Sequence, residues 1–301
     1  MKQIPQMLDC RICPRECGVD RYRAIGFCGA GSYTQVNLWD LHHGEEPPIS
    51  GTRGSGTVFF SHCNLKCVFC QNYSISCQGF GREVSIAELT TLMLVLQDRG
   101  AHNINLVTPT HYTPQIIEAL QDARRQGLEI PVLWNSSAYE KVETLAALEP
   151  LVDIYLPDWK YFHGLYARRY SHAENYPQVA QAAIREMLRQ KGYLQCNEEG
   201  IATQGVLLRL LVLPRGISGT EDILRQVAED FGTELPLSLM AQYYPAGEAS
   251  KYPELSRGIT AAEYDKVVTT VLELGFTRVY QQELSCSDEW TPDFIREDFK
   301  V

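Results

Sequence analysis

The 301-residue chain contains no long apolar run. A membrane-spanning helix needs about 20 consecutive apolar residues, and no stretch approaches that, so no membrane partner is expected. A basic excess is also missing: 27 Lys and Arg stand against 37 Asp and Glu, for a net charge of −10. Nucleic-acid binders usually present a basic face to the phosphates, so no nucleic-acid partner is expected either; the local group Arg15, Arg21 and Arg23 reads as solvated. The N-terminal Met-Lys-Gln-Ile-Pro-Gln has no apolar h-region, and no secretory signal is read there. Internal repeats and low-complexity tracts are lacking, while 45% hydrophobic residues supply a full core and argue against disorder. Cysteine is not scarce. With no leader expected, the ten cysteines read as metal or catalytic ligands rather than disulfides, and a cytoplasmic, anaerobic setting is the expectation.

From Thr57 onward short apolar runs alternate with amphipathic segments, the pattern of parallel βα units. Strands are predicted at Thr57–Ser61, Asn103–Val107, Pro131–Trp134, Val152–Leu156, Val206–Leu213, Leu237–Gln242 and Arg278–Gln281. Capping boxes at Ser85-Ile-Ala-Glu88 and Thr260-Ala-Ala-Glu263 open two of the helices between them. Pro114 begins another, Thr220 is expected to cap one more, and Gly275 ends the last. Six βα units and a closing strand predict an α/β fold, a partial (β/α)6 barrel with a small Cys-rich N-terminal module. An eight-fold barrel would need about 250 residues and two further units. The expected boundaries are residues 1–50 for the module and linker, 51–283 for the barrel and 284–301 for a C-terminal tail. The Gly-, Pro- and charge-rich stretch Leu41 to Gly56 reads as the linker.

The densest chemical signal is Cys63-Asn-Leu-Lys-Cys67-Val-Phe-Cys70, three cysteines spaced C-x3-C-x2-C directly after the first strand. Iron–sulfur clusters are usually held by four thiolates. A loop offering three leaves one iron of a [4Fe–4S] cubane open to a substrate or cofactor. In barrel enzymes ligands collect at the C-terminal ends of strands, and the later strand ends are polar where a core would be apolar. Candidates are Thr108, Thr110 and His111 after the second strand, Asn135 and Ser136 after the third, and Asp158 and Lys160 after the fourth. Arg209 lies inside the almost continuously apolar fifth strand, where an unpaired charge is costly; it needs either a ligand carboxylate, gripped as a fork, or a core carboxylate. Met240 and Gln242 end the sixth.

A second set, Cys10, Cys13, Cys17 and Cys28, opens the chain. Its spacing suits a tetrahedral zinc knuckle or an auxiliary Fe–S cluster, with cysteines that hold no metal as the third reading. Cys77, Cys196 and Cys286 are scattered and default to small buried hydrophobes, Cys77 lying nearest the three-cysteine loop. His42-His-Gly-Glu-Glu46 reads as a loop packing the N-terminal module over the barrel mouth rather than as a metal site. Tyr155, Tyr161, Tyr243 and Tyr244 at strand ends are expected mainly to pack.

Together, Cys10-Arg-Ile-Cys-Pro-Arg-Glu-Cys-Gly-Val-Asp-Arg21, Gly44-Glu-Glu-Pro-Pro-Ile-Ser-Gly51, Cys63-Asn-Leu-Lys-Cys-Val-Phe-Cys-Gln-Asn72 and Asn105-Leu-Val-Thr-Pro-Thr-His111 resemble one family. It is the group of pyruvate formate-lyase activating enzyme-like proteins of the radical S-adenosylmethionine (SAM) superfamily, and the likeness runs from about Cys10 to Gly275. It implies a [4Fe–4S] cluster on Cys63, Cys67 and Cys70, reductive cleavage of SAM, and hydrogen-atom abstraction by the resulting radical. A flavodoxin or ferredoxin is implied as electron donor. The Leu156-Pro-Asp158-Trp-Lys160 segment resembles the Asp-x-Lys of those activating enzymes, beside SAM and substrate. Where many members carry a Gly-Gly-Glu-like segment for the methionine amino group, this chain has Thr108-Pro-Thr110-His111. With SAM in a cavity at these strand ends, His111 would bond it or handle a substrate proton, or be a polar loop residue. Asn135 and Ser136 would meet the ribose or the carboxylate, or cap a helix. Arg209 would meet the SAM carboxylate or a core carboxylate. Met240 and Gln242 would meet the adenine, with Met240 equally a core filler. Activation of a glycyl radical enzyme is the expected function, and modification of a small molecule or peptide is the alternative.

Overall fold

A computed structural model describes residues 3–284, 292 and 294. Its strands are β1 (Thr34–His42), β2 (Ser55–Phe60), β3 (Arg82–Val84), β4 (Ile104–Val107), β5 (Val132–Ser136), β6 (Ile154–Pro157), β7 (Gln195–Cys196), β8 (Ala202–Val206), β9 (Leu208–Leu211), β10 (Leu237–Met240) and β11 (Val279–Gln281). Between them run α1 (Pro47–Ser50), α2 (Tyr73–Ser76), α3 (Ile86–Asp98), α4 (Thr113–Arg125), α5 (Val142–Leu148), α6 (Gly164–Ser171), α7 (Tyr176–Lys191), α8 (Thr220–Phe231) and α9 (Ala261–Leu274).

β2, β4, β5, β6 and β8 pair in parallel, as do β9, β10 and β11. A parallel bridge between Asp158 and Arg209 joins the two groups. The expected long fifth strand is broken at Leu207, whose N–H donates to the Tyr155 carbonyl, while the Leu208 N–H turns to the Pro236 carbonyl. The chain thereby changes neighbours from β6 to β10, and the sheet continues round its curve. Every residue of β2, β4, β5, β6 and β10 is buried, as helices on the outer face and a filled interior require. This is the mixed α/β fold with a mostly parallel central sheet that the alternation of runs predicts.

The capping boxes at Ser85 and Thr260 are both formed, each side chain accepting the N–H of the glutamate three residues on. Thr220 is instead the first helical residue of α8, and Gly219, at φ 66°, takes the cap position. The stretch Leu41 to Gly56 differs from the expected linker. Its start completes β1, which lies antiparallel to β2, and β3 extends that edge antiparallel to β1. The central sheet therefore begins at Thr34, inside the segment expected as module and linker. The apolar alternation that reveals parallel strands is blurred in β1, where Gln35, Asn37 and Asp40 interleave with Leu38 and Trp39. Of the tail expected over residues 284–301, only residues 284, 292 and 294 are described, and Cys286 lies outside the described residues.

Candidate active site at the strand ends

The chain leaves β2 through Ser61 and His62 and turns at once. His62 and Lys66 both have positive φ, 71° and 53°, an expensive conformation for residues with a Cβ. Buried Leu65 pins the turn from inside, and the Val68 N–H donates to the Tyr170 carbonyl at the end of α6. Thr108 after β4 and Ala138 after β5 also have positive φ, so three successive loops on this rim are bent sharply. Strain of this kind concentrates at functional sites.

These loops surround one pocket. Cys63, Cys67 and Cys70 line it together with Thr108, Asn135, Ser136, Asp158, Lys160, Arg209, Met240 and Gln242. Eleven residues picked from six different strand ends thus meet in one place. The three thiols are accompanied by donors: the Leu65 N–H to Cys63 Sγ at 3.3 Å, the Ser171 hydroxyl to Cys67 Sγ at 3.0 Å and the Ser76 hydroxyl to Cys70 Sγ at 3.2 Å. Burial pushes the Cys67 and Cys70 thiols up to about 12. A buried anionic sulfur is costly without compensation, and a metal supplies it while displacing the proton. Three sulfur ligands with hydroxyl and amide donors, and no carboxylate in the loop, suit an iron–sulfur cluster.

Lys160 Nζ bonds Asp158 Oδ2 at 2.6 Å. Burial opposes the lysine charge, but Asp158 and the sulfurs of Cys67 and Cys70 more than offset it and raise its pKa. The other carboxylate oxygen, Asp158 Oδ1, is buried and has no hydrogen-bond partner. An orphaned acceptor at a pocket wall fits an ammonium or hydroxyl donor on a ligand. Tyr176 fixes the frame behind it. Its hydroxyl accepts the Lys160 N–H at 2.8 Å and lies 2.8 Å from the Asp158 carbonyl and 3.0 Å from that of Ser137.

Arg209 has found carboxylates within the chain. It bonds Glu46 Oε1 at 2.7 Å and Glu46 Oε2 at 2.6 Å, and also Glu45. The three side chains are only 12%, 7% and 9% exposed. Burial works to raise the Glu46 carboxyl, but the Arg209 charge and hydrogen bonds overcome it and hold it below the usual carboxylate range. Of the two partners the sequence allows Arg209, the core carboxylate is the one in place. Glu45 and Glu46 follow β1, and Gly44 and Glu45 line the pocket, which sets this polar stretch over the barrel mouth. The neighbouring Asn105 donates to Glu45 at 2.8 Å.

Thr110 and His111 stand behind the wall and not on it. The turn after β4 rolls them inward: Thr110 donates to Glu140 at 3.0 Å, and His111 Nε2 meets the Ser61 carbonyl at 2.8 Å. Burial pushes His111 down to about 3, so it is neutral near pH 7. Ser136 lines the pocket, yet its hydroxyl also bonds Glu140 at 2.8 Å. Glu140 is a buried carboxyl raised by desolvation and held by Trp134, Ser136 and Thr110. Sequence reasoning missed it, along with pocket-lining Gln71, Asn72 and Ser76. Gln71 and Asn72 directly follow Cys70 in a loop, a signal within reach; Glu140 has none. Tyr155, Tyr161 and Tyr243 are buried packing residues, although the Tyr161 hydroxyl lies 2.8 Å from the Ser171 hydroxyl that serves Cys67.

The four N-terminal cysteines gather beside this loop, reduced and unpaired. Among the described residues, no three His, Cys, Asp or Glu side chains converge as a single metal ion would require. No helix among the described residues is long and apolar enough to cross a membrane.

The fold is a curved, mostly parallel sheet with three cysteines after its first parallel strand and polar strand ends around them. Residues 57–193 match the model of the Radical SAM superfamily domain. Such a domain implies a [4Fe–4S] cluster and SAM. An uncharacterized protein of Methanocaldococcus jannaschii is 29% identical over 281 residues, covering 90% of this chain and 77% of that one. Among solved structures, methylornithine synthase aligns with a TM-score of 0.49 at 15% identity, over 70% of this chain and 59% of that one. The [FeFe]-hydrogenase maturase HydG gives 0.48 at 15%, over 72% and 48%. Streptococcus suis SuiB, bound to its precursor peptide SuiA, gives 0.48 at 12%, over 73% and 46%. The chain spans roughly half the length of these solved proteins.

Proposed function

We propose that the protein is a radical enzyme that holds a [4Fe–4S] cluster on Cys63, Cys67 and Cys70 and cleaves SAM to take a hydrogen atom from a substrate. The observation that carries this reading is the meeting of those three thiols with the polar ends of β4, β5, β6 and β9 in one pocket. When bound, the cluster supplies one electron to the SAM sulfonium, after reduction by a flavodoxin- or ferredoxin-type donor. The chain's own groups do the rest. Leu65, Ser76 and Ser171 donate to the sulfurs and share their charge. The free oxygen of Asp158 takes an ammonium or hydroxyl donor, and Lys160 beside it takes a carboxylate. Asn135 and Thr108 offer further polar contacts, while Met240 and Leu211 give an apolar wall. The sharply bent loops hold these groups in place before the ligand arrives, which reduces the ordering cost of binding.

For the substrate, the cover matters. His42, Gly44 and Glu45 from the end of β1 and Pro292 from the C-terminal segment border the pocket. A bordered mouth favours a small molecule or short peptide over the glycine-bearing loop of a large partner enzyme, the other class of target. The test is anaerobic turnover with dithionite and SAM. Reconstituted protein should release 5′-deoxyadenosine and methionine, Cys67→Ala should release neither, and Cys196→Ala, exposed on β7, should match wild type. Undiminished release from Cys67→Ala overturns the reading.

A further inference from the structure

The N-terminal cysteines form a site of their own. Backbone bonds fold the segment on itself: the Cys10 N–H donates to the Val19 carbonyl and the Gly18 N–H to the Cys10 carbonyl, both at 3.0 Å. This returns Cys17 to the side of Cys10. Cys17 Sγ accepts the N–H of Phe27 at 3.4 Å, which brings in the adjacent Cys28. Gly26 leaves room there, since a Cβ on it would stand 3.4 Å from Cys17 Sγ. Cys13 lies near Cys10 and Cys28, and Cys28 near Cys10 and Cys17. Cys28 Sγ accepts the N–H of Ala30, two residues on, at 3.5 Å, just as Cys63 Sγ accepts that of Leu65. Cys10, Cys13 and Cys28 are 8%, 7% and 6% exposed.

The site is bolted to the three-cysteine loop. Arg15 donates to the Asn64 carbonyl and the Ser171 carbonyl, both at 2.8 Å, and to the His172 carbonyl. The side chain of Asn64, the residue after Cys63, lies beside the Cys13 thiol and donates to the Tyr139 carbonyl at 2.8 Å. Ser171 in turn donates to Cys67 Sγ. Arg15 thus ties one cysteine set to the other.

We infer that Cys10, Cys13, Cys17 and Cys28 hold a second [4Fe–4S] cluster, fully ligated by protein sulfur and packed against the Cys63–Cys70 loop. The inference rests on the radical reading of that loop. A single zinc, at Zn–S distances of about 2.3 Å, would draw its sulfurs to ~3.8 Å of one another. Among the described residues no three ligating side chains converge on a single-ion position, at either cysteine set. A cubane places each thiolate on a different corner and keeps them further apart, so the same geometry serves both sets. With four thiolates no iron is open, and the second cluster's chemistry is one-electron transfer. It takes one electron from a reduced flavodoxin- or ferredoxin-type carrier, which is oxidised, and gives it up as the Cys63-loop cluster is reduced.

The experiment is iron, sulfide and zinc analysis with electron paramagnetic resonance on full-length protein purified without oxygen. Wild type is compared with a Cys63/Cys67/Cys70→Ala triple variant and with Cys28→Ser, each checked for fold by circular dichroism. Wild type should carry about eight irons, and the folded triple variant about four. The dithionite-reduced triple variant should show a [4Fe–4S]+ signal that added SAM leaves unchanged. A triple variant with about one zinc and no iron overturns the inference, as does a folded Cys28→Ser with wild-type iron and an unaltered signal. If wild type holds about four irons and the triple variant none, this inference fails and the radical reading stands. If the triple variant keeps all of the wild-type iron, the radical reading fails and the N-terminal cluster stands.

Discussion

Replacing Arg209 by methionine keeps most of the side-chain volume and removes a charge that two carboxylates share. Glu45 and Glu46 are 9% and 7% exposed beside it, so the variant leaves two acidic groups next to each other with little water to solvate them. Removing one partner of a buried ion pair costs roughly 3–5 kcal/mol, because the survivors stay buried and uncompensated. In a domain of this size that lowers Tm by on the order of 10 °C. Glu46→Gln is the milder change. Arg209 keeps Glu45, the amide still accepts a hydrogen bond, and the cost should be about 1–2 kcal/mol. The pH dependence separates this account from simple packing loss. In wild type Glu46 is held below the ordinary carboxylate range by Arg209, so its contribution is present above that range and is lost as pH falls. In Arg209→Met the stranded carboxyls are raised above their unfolded values, so that variant loses stability as pH rises. The gap between the two proteins should therefore narrow from pH 7 to pH 5. Anaerobic urea titrations followed by circular dichroism at both pH values measure it. A gap that stays constant with pH, or a Glu46→Gln as damaged as Arg209→Met, refutes the buried-triad argument.

Three further outcomes are expected. His111, pushed down to about 3 by burial, stays neutral in the fold while the unfolded chain takes up a proton near pH 6.5. Wild type should thus lose about 2 kcal/mol between pH 7 and pH 5 through this group alone. His111→Gln should show that much less acid sensitivity in paired urea titrations, and equal slopes would contradict it. Ser171→Ala removes the hydroxyl donated to Cys67 Sγ. A hydrogen bond worth about 1 kcal/mol more to the reduced site corresponds to ~40 mV for one electron, so spectroscopic titration should find the midpoint that much more negative, and an unmoved or raised midpoint would exclude the contact. Asp158→Ala should weaken SAM binding about tenfold, equivalent to about 1.4 kcal/mol, in anaerobic equilibrium dialysis with the iron content unchanged; wild-type affinity would remove the orphaned oxygen from the site.

The parts of this molecule that were legible in the sequence are those governed by local rules. Parallel strands buried on both faces must be apolar over their whole length, so β2, β4, β5, β6 and β10 announce themselves. A capping box spans four residues, and both of them formed. The three-cysteine loop is equally local, because its spacing alone states how many sulfur ligands it offers. Illegibility begins where a partner is remote. Arg209 plainly needed a counter-charge, but its partners lie 163 and 164 residues earlier, in a stretch whose Gly and Pro content reads as linker. Only the antiparallel return of β1 along β2 carries Glu45 and Glu46 to the pocket's edge. His111 errs in the opposite direction. A polar residue at a strand end is a fair ligand candidate, yet the turn Thr110–Tyr112 winds it inward against Ser61, and nothing in the residue types distinguishes an inward from an outward turn. Glu140 went unnoticed for the same reason, since its donors Thr110, Trp134 and Ser136 converge on it only after β4 and β5 are side by side. Strand ends therefore reveal which residues can reach the pocket, and the charges packed behind them decide which are left over to bind. On this rim Asp158 Oδ1 is a buried acceptor without an internal partner, while Arg209, the more conspicuous residue in the sequence, is already spoken for.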